Sequence, residues 1–224
     1  NLVMTGASNT VSNASVATSF NNTGRVQLGD SAADSFVFAG GLVATAPSVV
    51  ELAGDLSTTA ATATMAFAST QLLDTTRLTS SGLTLGGTVS GPHGFTTVGN
   101  TTFSNGSVST PGFAQSYSGA MNLTATTTLT ASSVTLGGAV SGPYSFNVVG
   151  DTILNHGTVN TAGFAQSYSG AISLGASTTL TASNVTLGGA VSGPYSFDVM
   201  GDTTLNHGTV NTAGFAQSYS GAIS

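Results

Sequence analysis

The sequence predicts an all-β protein that folds as a parallel β-helix, also called a β-solenoid. Three observations predict this fold: a 51-residue internal repeat, short apolar and polar alternations separated by Gly, Pro, Asn and Asp, and a charged-residue content of only 4%. A typical soluble domain has about 25% charged residues. Together these features indicate short strands stacked around a thin core of small side chains.

The composition excludes several classes of function. The 224 residues carry a net charge of −6, and the only basic side chains are Arg25 and Arg77. We therefore expect no nucleic-acid partner, because such partners require a basic surface. No apolar run approaches the roughly 18–20 residues that span a bilayer, so we expect no membrane insertion by this segment. The absence of Cys and Lys excludes disulfides, thiol nucleophiles and Lys–Asn cross-links.

The 51-residue repeat fills most of the chain. Gly-Phe-Ala-Gln-Ser-Tyr-Ser-Gly-Ala occurs at 112–120, 163–171 and 214–222. Residues 121–171 and 172–222 are identical at 43 of 51 positions without a gap. Such self-similarity is the sequence signature of a repeat architecture.

This repeat divides the chain into three parts. Residues 1–24 are interpreted as an N-terminal coil, cap or linker, and residues 25–80 as a degenerate repeat with an extra coil. Residues 81–224 contain the regular copies, which are 81–131, 132–182 and the incomplete 183–224. The chain stops partway through a copy, and we expect the resulting open strand edge to pair with another chain.

A smaller motif predicts the length of each coil. Gly, any residue, then Val or Ile recurs at Gly138, Gly157, Gly170 and Gly189, in steps of 19, 13 and 19 residues. Three coils of about 17 residues would then form one 51-residue unit. About thirteen coils at strand spacing would give a rod on the order of 60 Å long. A β-sandwich and a β-propeller are the competing architectures.

Stacking also explains the shortage of charge. If equivalent residues of successive coils lie above one another, a charged side chain faces its own like-charged copies, which is unfavourable. Hydroxyl and amide side chains avoid this repulsion. The sequence therefore predicts neutral surfaces that repeat along the rod.

Several repeated segments carry a family resemblance. They are Val-Thr-Leu-Gly-Gly-Ala-Val at 134–140 and 185–191, Gln-Ser-Tyr-Ser-Gly-Ala at 115–120, 166–171 and 217–222, and Thr-Thr-Leu-Thr-Ala-Ser at 127–132 and 178–183. They resemble the repeats of large bacterial exoproteins of the filamentous-haemagglutinin family and of autotransporter passenger domains. The resemblance implies a right-handed parallel β-helix displayed at the cell surface of a Gram-negative bacterium or secreted from it.

The same resemblance implies a role and its partners. It points to an adhesin shaft, a fibre subunit or a biofilm component. The implied partners are a host or neighbouring cell surface, and copies of the chain associating end to end or laterally.

The aromatic residues recur in register. We expect the phenylalanines to pack inside the coil stack and a set of tyrosines to lie at its rim: Phe95, Phe146, Phe197, Phe113, Phe164 and Phe215 inside, and Tyr117, Tyr168 and Tyr219 at the rim. Tyr144 and Tyr195 follow Gly-Pro and are expected at the surface, where they could stack on sugars. Glycans are therefore a further candidate partner.

Histidine and aspartate recur near one another in the later copies. His156 and His207, with Asp151 and Asp202, could hold a metal or act as acid–base groups, or could simply form turns. The first copy has Asn at the equivalent positions, and Asn forms turns without transferring protons. The turn interpretation is favoured, so we predict no catalytic, metal or cofactor site. Weak ion binding near Asp30 and Asp34 stays open.

These observations favour a non-enzymatic, extracellular structural or adhesive solenoid. An ice- or glycan-binding solenoid is the alternative, since Thr126-Thr127-Thr128 and Ser177-Thr178-Thr179 resemble rows of an ice-binding surface. A polysaccharide-degrading β-helix enzyme is the third hypothesis. It would need clustered carboxylates with basic partners on one face.

Overall fold

The computed structural model describes all 224 residues and consists of 24 strands, with no helix. Each strand from β1 to β22 pairs in parallel with a strand one turn further along the chain, which gives a β-solenoid of about ten turns. The spacing between paired residues is about 19, and it is longer at the N-terminal end, where Leu2 pairs with Val26. At the spacing of neighbouring strands these turns form a rod about 50 Å long. The predicted fold class is confirmed, and each turn is longer than the expected 17 residues.

The strands are short, and several of them bend across an edge of the rod. The first twelve are β1 (Leu2–Met4), β2 (Asn9–Val11), β3 (Thr18–Ser19), β4 (Val26–Leu28), β5 (Ser35–Phe38), β6 (Leu42–Ala44), β7 (Val50–Ser57), β8 (Thr64–Phe67), β9 (Thr70–Leu85), β10 (Val89–Ser90), β11 (Phe95–Phe103) and β12 (Ser107–Tyr117). The others are β13 (Met121–Leu123), β14 (Thr127–Leu136), β15 (Val140–Ser141), β16 (Phe146–Leu154), β17 (Thr158–Asn160), β18 (Gln166–Tyr168), β19 (Ile172–Leu174), β20 (Thr178–Leu187), β21 (Val191–Ser192), β22 (Phe197–Leu205), β23 (Val210–Asn211) and β24 (Gln217–Tyr219).

The strands form three faces, each defined by a column of paired residues. The first face contains the column Val89, Val108, Leu129, Val148, Tyr168 and Leu187. The second face contains Thr97, Tyr117, Leu136, Leu154 and Leu174. The third face contains Met121, Val140, Val159, Leu180 and Val199. The chain passes from the first to the second to the third face and then begins the next turn.

The 51-residue repeat does not equal a whole number of turns. Val140 pairs with Val159, Val159 with Leu180, and Leu180 with Val199, so each of these steps is one turn. Residue 191 lies one repeat after Val140, which is more than two turns (Leu180) and less than three turns (Val199). Val191 instead pairs with Ile172 on the second face. One repeat therefore spans about two and two-thirds turns, and each copy is rotated by one face relative to the copy before it. This differs from the three-coil unit that the sequence predicts.

This rotation changes the explanation of the low charge. Asp151 pairs with Ser133, and Asp198 pairs with Thr179 on one side and Ser218 on the other. Equivalent carboxylates of successive copies therefore do not stack on one another, and the expected like-charge repulsion between copies is absent. The structure therefore does not support repulsion between copied charges as the reason for the low charge content.

The core is a continuous apolar column inside the three faces. It contains 41 buried residues, most of them Val, Leu, Phe, Ala and Met. Alternation along each strand places these side chains inward and Thr, Ser or Asn outward, as in the buried–exposed pattern of β14. Phe95, Phe146 and Phe197 are buried as predicted.

Residues 1–24 join the same stack. Leu2 pairs with Val26, Asn9 with Phe36, and Thr18 with Leu42, so this segment supplies a strand to each face. Arg25 lies just beyond it and forms an ion pair with Glu51, whose carboxylate is nearly buried, at 2.9 Å. This pair joins neighbouring turns, because Val26 and Val50 are register partners.

Candidate functional site

A tight turn places Phe164 on the surface. The backbone N–H of Phe164 donates to the carbonyl of Thr161 at 3.0 Å, and the two residues between them have φ of +50° (Ala162) and +90° (Gly163). Positive φ at both central positions is the signature of a type I′ turn. The Asn160 carboxamide supports the turn by accepting the Ala162 N–H at 2.8 Å. The Phe164 side chain is 47% exposed.

The other two copies build the same feature. Phe215 donates to the Thr212 carbonyl at 3.0 Å, with φ of +50° at Ala213 and +89° at Gly214. In the first copy the turn is Thr-Pro-Gly-Phe at 110–113 with a positive φ only at Gly112, which is typical of a type II turn. Phe113 and Phe215 are 44% and 52% exposed. The prediction that these three phenylalanines lie in the core is therefore wrong.

A buried polar network lies beneath each turn. The Gln166 amide donates to the carbonyls of Val159 and Thr181, at 3.1 and 3.0 Å, and to the Thr161 hydroxyl at 3.4 Å. Its oxygen accepts the Tyr168 hydroxyl at 3.0 Å. Gln166 and Tyr168 are completely buried, so these bonds satisfy groups that would otherwise be costly to bury.

The first copy repeats this network around Gln115. Its amide donates to the Val108 and Thr130 carbonyls and to the Thr110 hydroxyl, and it accepts the Tyr117 hydroxyl at 2.9 Å. The prediction that Tyr117 and Tyr168 lie at the rim is wrong, because the network gives their hydroxyls a partner inside the core. Burial raises the pKa of both tyrosines well above the ordinary value of 10.

Each exposed phenylalanine lies beside a second ring from the preceding turn. Phe146 and Gln166 are register partners, so Tyr144 and Phe164, each two residues earlier, occupy adjacent turns. Their ring centroids are 6.2 Å apart, with an interplanar angle of 26°. The equivalent pairs are Tyr195–Phe215 at 6.4 Å and 32°, and His93–Phe113 at 5.9 Å and 32°. We call these three the aromatic pairs.

The aromatic pairs lie on three different edges of the rod. His93–Phe113 lies between the first and second faces, Tyr144–Phe164 between the third and first, and Tyr195–Phe215 between the second and third. The rotation of each copy by one face causes this arrangement. Tyr144 and Tyr195, predicted to be exposed, are half-buried because each also packs against the edge of the core.

His93 has a further neighbour. Its ring nitrogen lies 3.6 Å from a carboxylate oxygen of Asp74, one turn earlier. Asp74 accepts the backbone N–H groups of Thr75 and Ala32, at 2.7 and 3.0 Å, and these hydrogen bonds hold the pKa of its carboxyl below the ordinary value. The carboxylate therefore joins three turns at this edge.

The repeated aspartates bind backbone. Asp151 accepts the N–H of Ala171 at 2.9 Å, and Asp202 accepts the N–H of Ala222 at 2.9 Å. In the first copy Asn100 accepts the N–H of Ala120 at 3.1 Å. An Asn and an Asp oxygen thus perform the same task without transferring a proton. Both residue types lie within strands, in β11, β16 and β22, and they link neighbouring turns of the solenoid instead of forming the predicted chain turn. His156 and His207 are exposed in the turns after Leu154 and Leu205.

Asp34 also accepts hydrogen bonds from backbone N–H groups. Its nearly buried carboxylate accepts the N–H groups of Asp30 and Ser31, at 2.9 and 3.2 Å. Both donors bind the Oδ2 atom of Asp34. Nowhere in the chain do three His, Asp or Glu side chains converge as they would around a metal ion.

The threonine rows are interrupted. Thr127 and Thr178 are buried and point inward, so neither predicted triplet forms a continuous hydroxyl surface. Along the first face the outward column reads Thr128, Asn147, Ser167 and Thr186. No pocket opens on the rod, and no helix in the chain could cross a bilayer.

The fold and its surface define a β-solenoid repeat protein with an aromatic pair on each of its three edges. Comparison with protein-family models, with curated proteins and with solved structures found no match.

Proposed function

We propose that this chain is a structural and adhesive β-solenoid, acting as the shaft of a surface adhesin or as a subunit of a cell-surface fibre. The observation that carries the proposal is the single parallel ladder, which runs without interruption from β1 to β24. A stack of this kind gains length by adding turns, and each turn contacts only its neighbours. Its mechanical function is therefore extension and display.

The repeat sequences support an extracellular location. They resemble the filamentous-haemagglutinin family and autotransporter passenger domains, which display their β-helices outside a Gram-negative cell. The proposed partners are a host or neighbouring cell surface, and copies of the chain. A net charge of −6 with only two basic side chains disfavours anionic partners.

Glycan binding is a second candidate function, and one observation favours it. Three aromatic pairs, each containing one exposed phenylalanine, recur at equivalent positions, held on turns that the rest of the repeat supports. Repeated weak sites on one rigid rod would give avidity to a surface that carries many copies of one ligand.

An adhesion assay with a length variant tests the proposal. The chain is displayed on a non-adherent bacterium, and attachment to epithelial cells and to glass is measured under flow. Deletion of residues 121–171 leaves a junction like the natural one, because Ile172 then follows Ala120 instead of Ala171. At 4.8 Å per turn the rod should shorten by about 13 Å in solution scattering. Attachment no better than that of cells displaying an unrelated domain of equal mass would contradict the adhesive role.

A further inference from the structure

We propose that the aromatic pairs are binding sites for the pyranose rings of neutral or N-acetylated polysaccharides. This inference deepens the adhesive function proposed above, on which it rests, by naming the class of ligand that the rod would hold. It joins Tyr144 and Tyr195, the tyrosines that the sequence singled out, with phenylalanines that sequence reasoning assigned to the core.

The ring geometry suits a sugar chain. The rings of Tyr144 and Phe164 are nearly parallel, with centroids 6.2 Å apart, a separation within the range of offset-stacked aromatic pairs. Their small interplanar angle makes them two adjacent, similarly oriented plates. Apolar C–H faces of consecutive pyranose rings can lie on such plates. The Tyr144 hydroxyl adds a polar group that can bond sugar hydroxyls.

The repeat maintains this exposed ring at a cost. Ala162 and Ala213 are the only non-glycine residues with positive φ, and both lie in the turns that carry an exposed phenylalanine. A left-handed conformation is unfavourable for an L-residue. The Thr161 hydroxyl donates to the carbonyl of Phe164 itself at 2.6 Å and so fixes the turn to the buried network. A ring held in this manner loses little freedom on binding.

The size of each pair selects a small ligand over a protein. An aromatic side chain has about 150–250 Å² of surface, and these rings are at most about half exposed, so a pair offers roughly 100–200 Å². A stable protein interface needs about 800 Å² from each partner. An isolated two-ring patch on a polar edge is therefore far below the requirement of a protein partner, but it matches one or two sugar rings.

Charge restricts the ligand further. The chain has eight acidic side chains and two basic ones, and one of the two basic groups is already paired with Glu51. An acidic polysaccharide would meet repulsion without a compensating cation. Neutral polysaccharides and N-acetylated amino sugars meet none.

The arrangement on three edges predicts cross-linking. Successive pairs are separated along the axis by about 13 Å at 4.8 Å per turn, and each faces a different side of the rod. One straight glycan chain therefore reaches a single pair, and three pairs engage three separate chains. Such a rod binds a polymer mesh with avidity that a single site lacks.

The test compares the wild-type chain with three variants by affinity electrophoresis in gels that contain hydroxyethylcellulose, glycol chitin or polygalacturonate. One variant combines Phe113→Ala, Phe164→Ala and Phe215→Ala. A second combines Tyr144→Leu and Tyr195→Leu, which removes two rings but keeps apolar bulk. The control combines Val149→Ala and Met200→Ala, which removes exposed apolar side chains of 46% and 54% exposure that belong to no pair.

We expect retardation of the wild type and the control by at least one of the two neutral polymers, and not by polygalacturonate. The triple variant should bind at least tenfold more weakly, and the Tyr variant at least threefold more weakly, with unchanged circular dichroism. Absence of retardation by both neutral polymers, or equal retardation of all four proteins, overturns the inference. Concentration-dependent dimerisation of the wild type that the triple variant abolishes would replace the sugar with a second copy of the chain.

The adhesion assay separates this inference from the proposed function. If displayed rods promote attachment but the pure protein binds neither neutral polymer, only the sugar assignment fails. If displayed rods promote no attachment, the adhesive role fails whatever the polymer gels show.

Discussion

Thr101 donates its hydroxyl proton to the hydroxyl of Thr97 at 3.0 Å inside the core. The next two copies keep the first residue of this pair, as Thr152 and Thr203, but replace the second with Val148 and Val199. Both later threonine hydroxyls are buried without a hydrogen-bond partner. The first copy therefore makes one internal hydrogen bond that the two later copies lack.

We predict that Thr152→Val stabilises the protein. A buried hydroxyl without a partner costs about 1–3 kcal/mol, and Val has the same shape without the hydroxyl. The urea midpoint should rise, corresponding to about 1 kcal/mol in the free energy of unfolding. Thr101→Val is the matched control and should lower the stability by about 1–2 kcal/mol, because it leaves the Thr97 hydroxyl unpaired. Equal effects of the two changes would contradict this account.

The hydrogen bonds of the buried Gln166 should contribute more to the stability of the protein than those of its exposed counterpart, Gln217. Gln166→Ala leaves the buried Tyr168 hydroxyl without its partner and removes one bond from the Val159 carbonyl, whereas the Thr181 carbonyl keeps the backbone N–H of Thr161 at 3.0 Å. We expect a loss of about 1–3 kcal/mol in the free energy of unfolding. Gln217 makes the corresponding bonds to Val210 and Thr212 but is exposed, so water can replace them. Gln217→Ala should therefore cost less than about 1 kcal/mol. Chemical denaturation of both variants, followed by circular dichroism, measures the difference.

Backbone strain at the Phe164 turn can be relieved or increased. Ala162→Gly removes the cost of a left-handed Ala but adds freedom to the unfolded chain, so we expect a net stabilisation of about 0.5 kcal/mol. Gly163→Ala should destabilise by about 1–2 kcal/mol. No atom lies within 4 Å of the added Cβ, so its whole effect is conformational. Thermal unfolding of the two single variants shows whether each change raises or lowers the stability. A stabilising Gly163→Ala would refute the turn assignment.

Stability should fall at high pH because of the buried tyrosines. Burial raises the pKa of Tyr117 and Tyr168 in the folded state, so these two phenols keep their protons while those of an unfolded chain ionise near pH 10. The stability that these two tyrosines contribute is fully present below pH 10. It is lost as the pH rises further, because deprotonation then favours the unfolded state.

The absorbance of tyrosinate at 295 nm measures this linkage. The signal from Tyr117 and Tyr168 should appear together with the loss of the β-sheet circular dichroism. Tyr168→Phe should remove about half of that coincident step. Ionisation of both buried phenols while the circular dichroism stays native would contradict the prediction.

Part of the site could be predicted from sequence, and part could not. The repeated Gly-Pro-Tyr pattern predicts surface positions for Tyr144 and Tyr195, and the structure places both half-buried beside an exposed phenylalanine. The recurrence of Phe164, like that of Phe146, predicts a core position, yet Phe164 ends a type I′ turn and Phe146 begins a strand. The sequence feature that indicates an exposed ring is the tripeptide before it, Thr-Ala-Gly or Thr-Pro-Gly, since both tripeptides form turns. The buried Gln166 carries no such signal, because Gln is most often exposed.

The sequence by itself determined that this chain is a β-solenoid. Repetition, alternation and turn residues are local or periodic properties, and they act in the same manner in every copy. The tertiary structure alone decided how many residues complete a turn. The pairing register sets that length near 19 residues, and 51 is not a multiple of 19. Because of this mismatch, identical sequences face three directions, and the aromatic pairs occupy three edges instead of one.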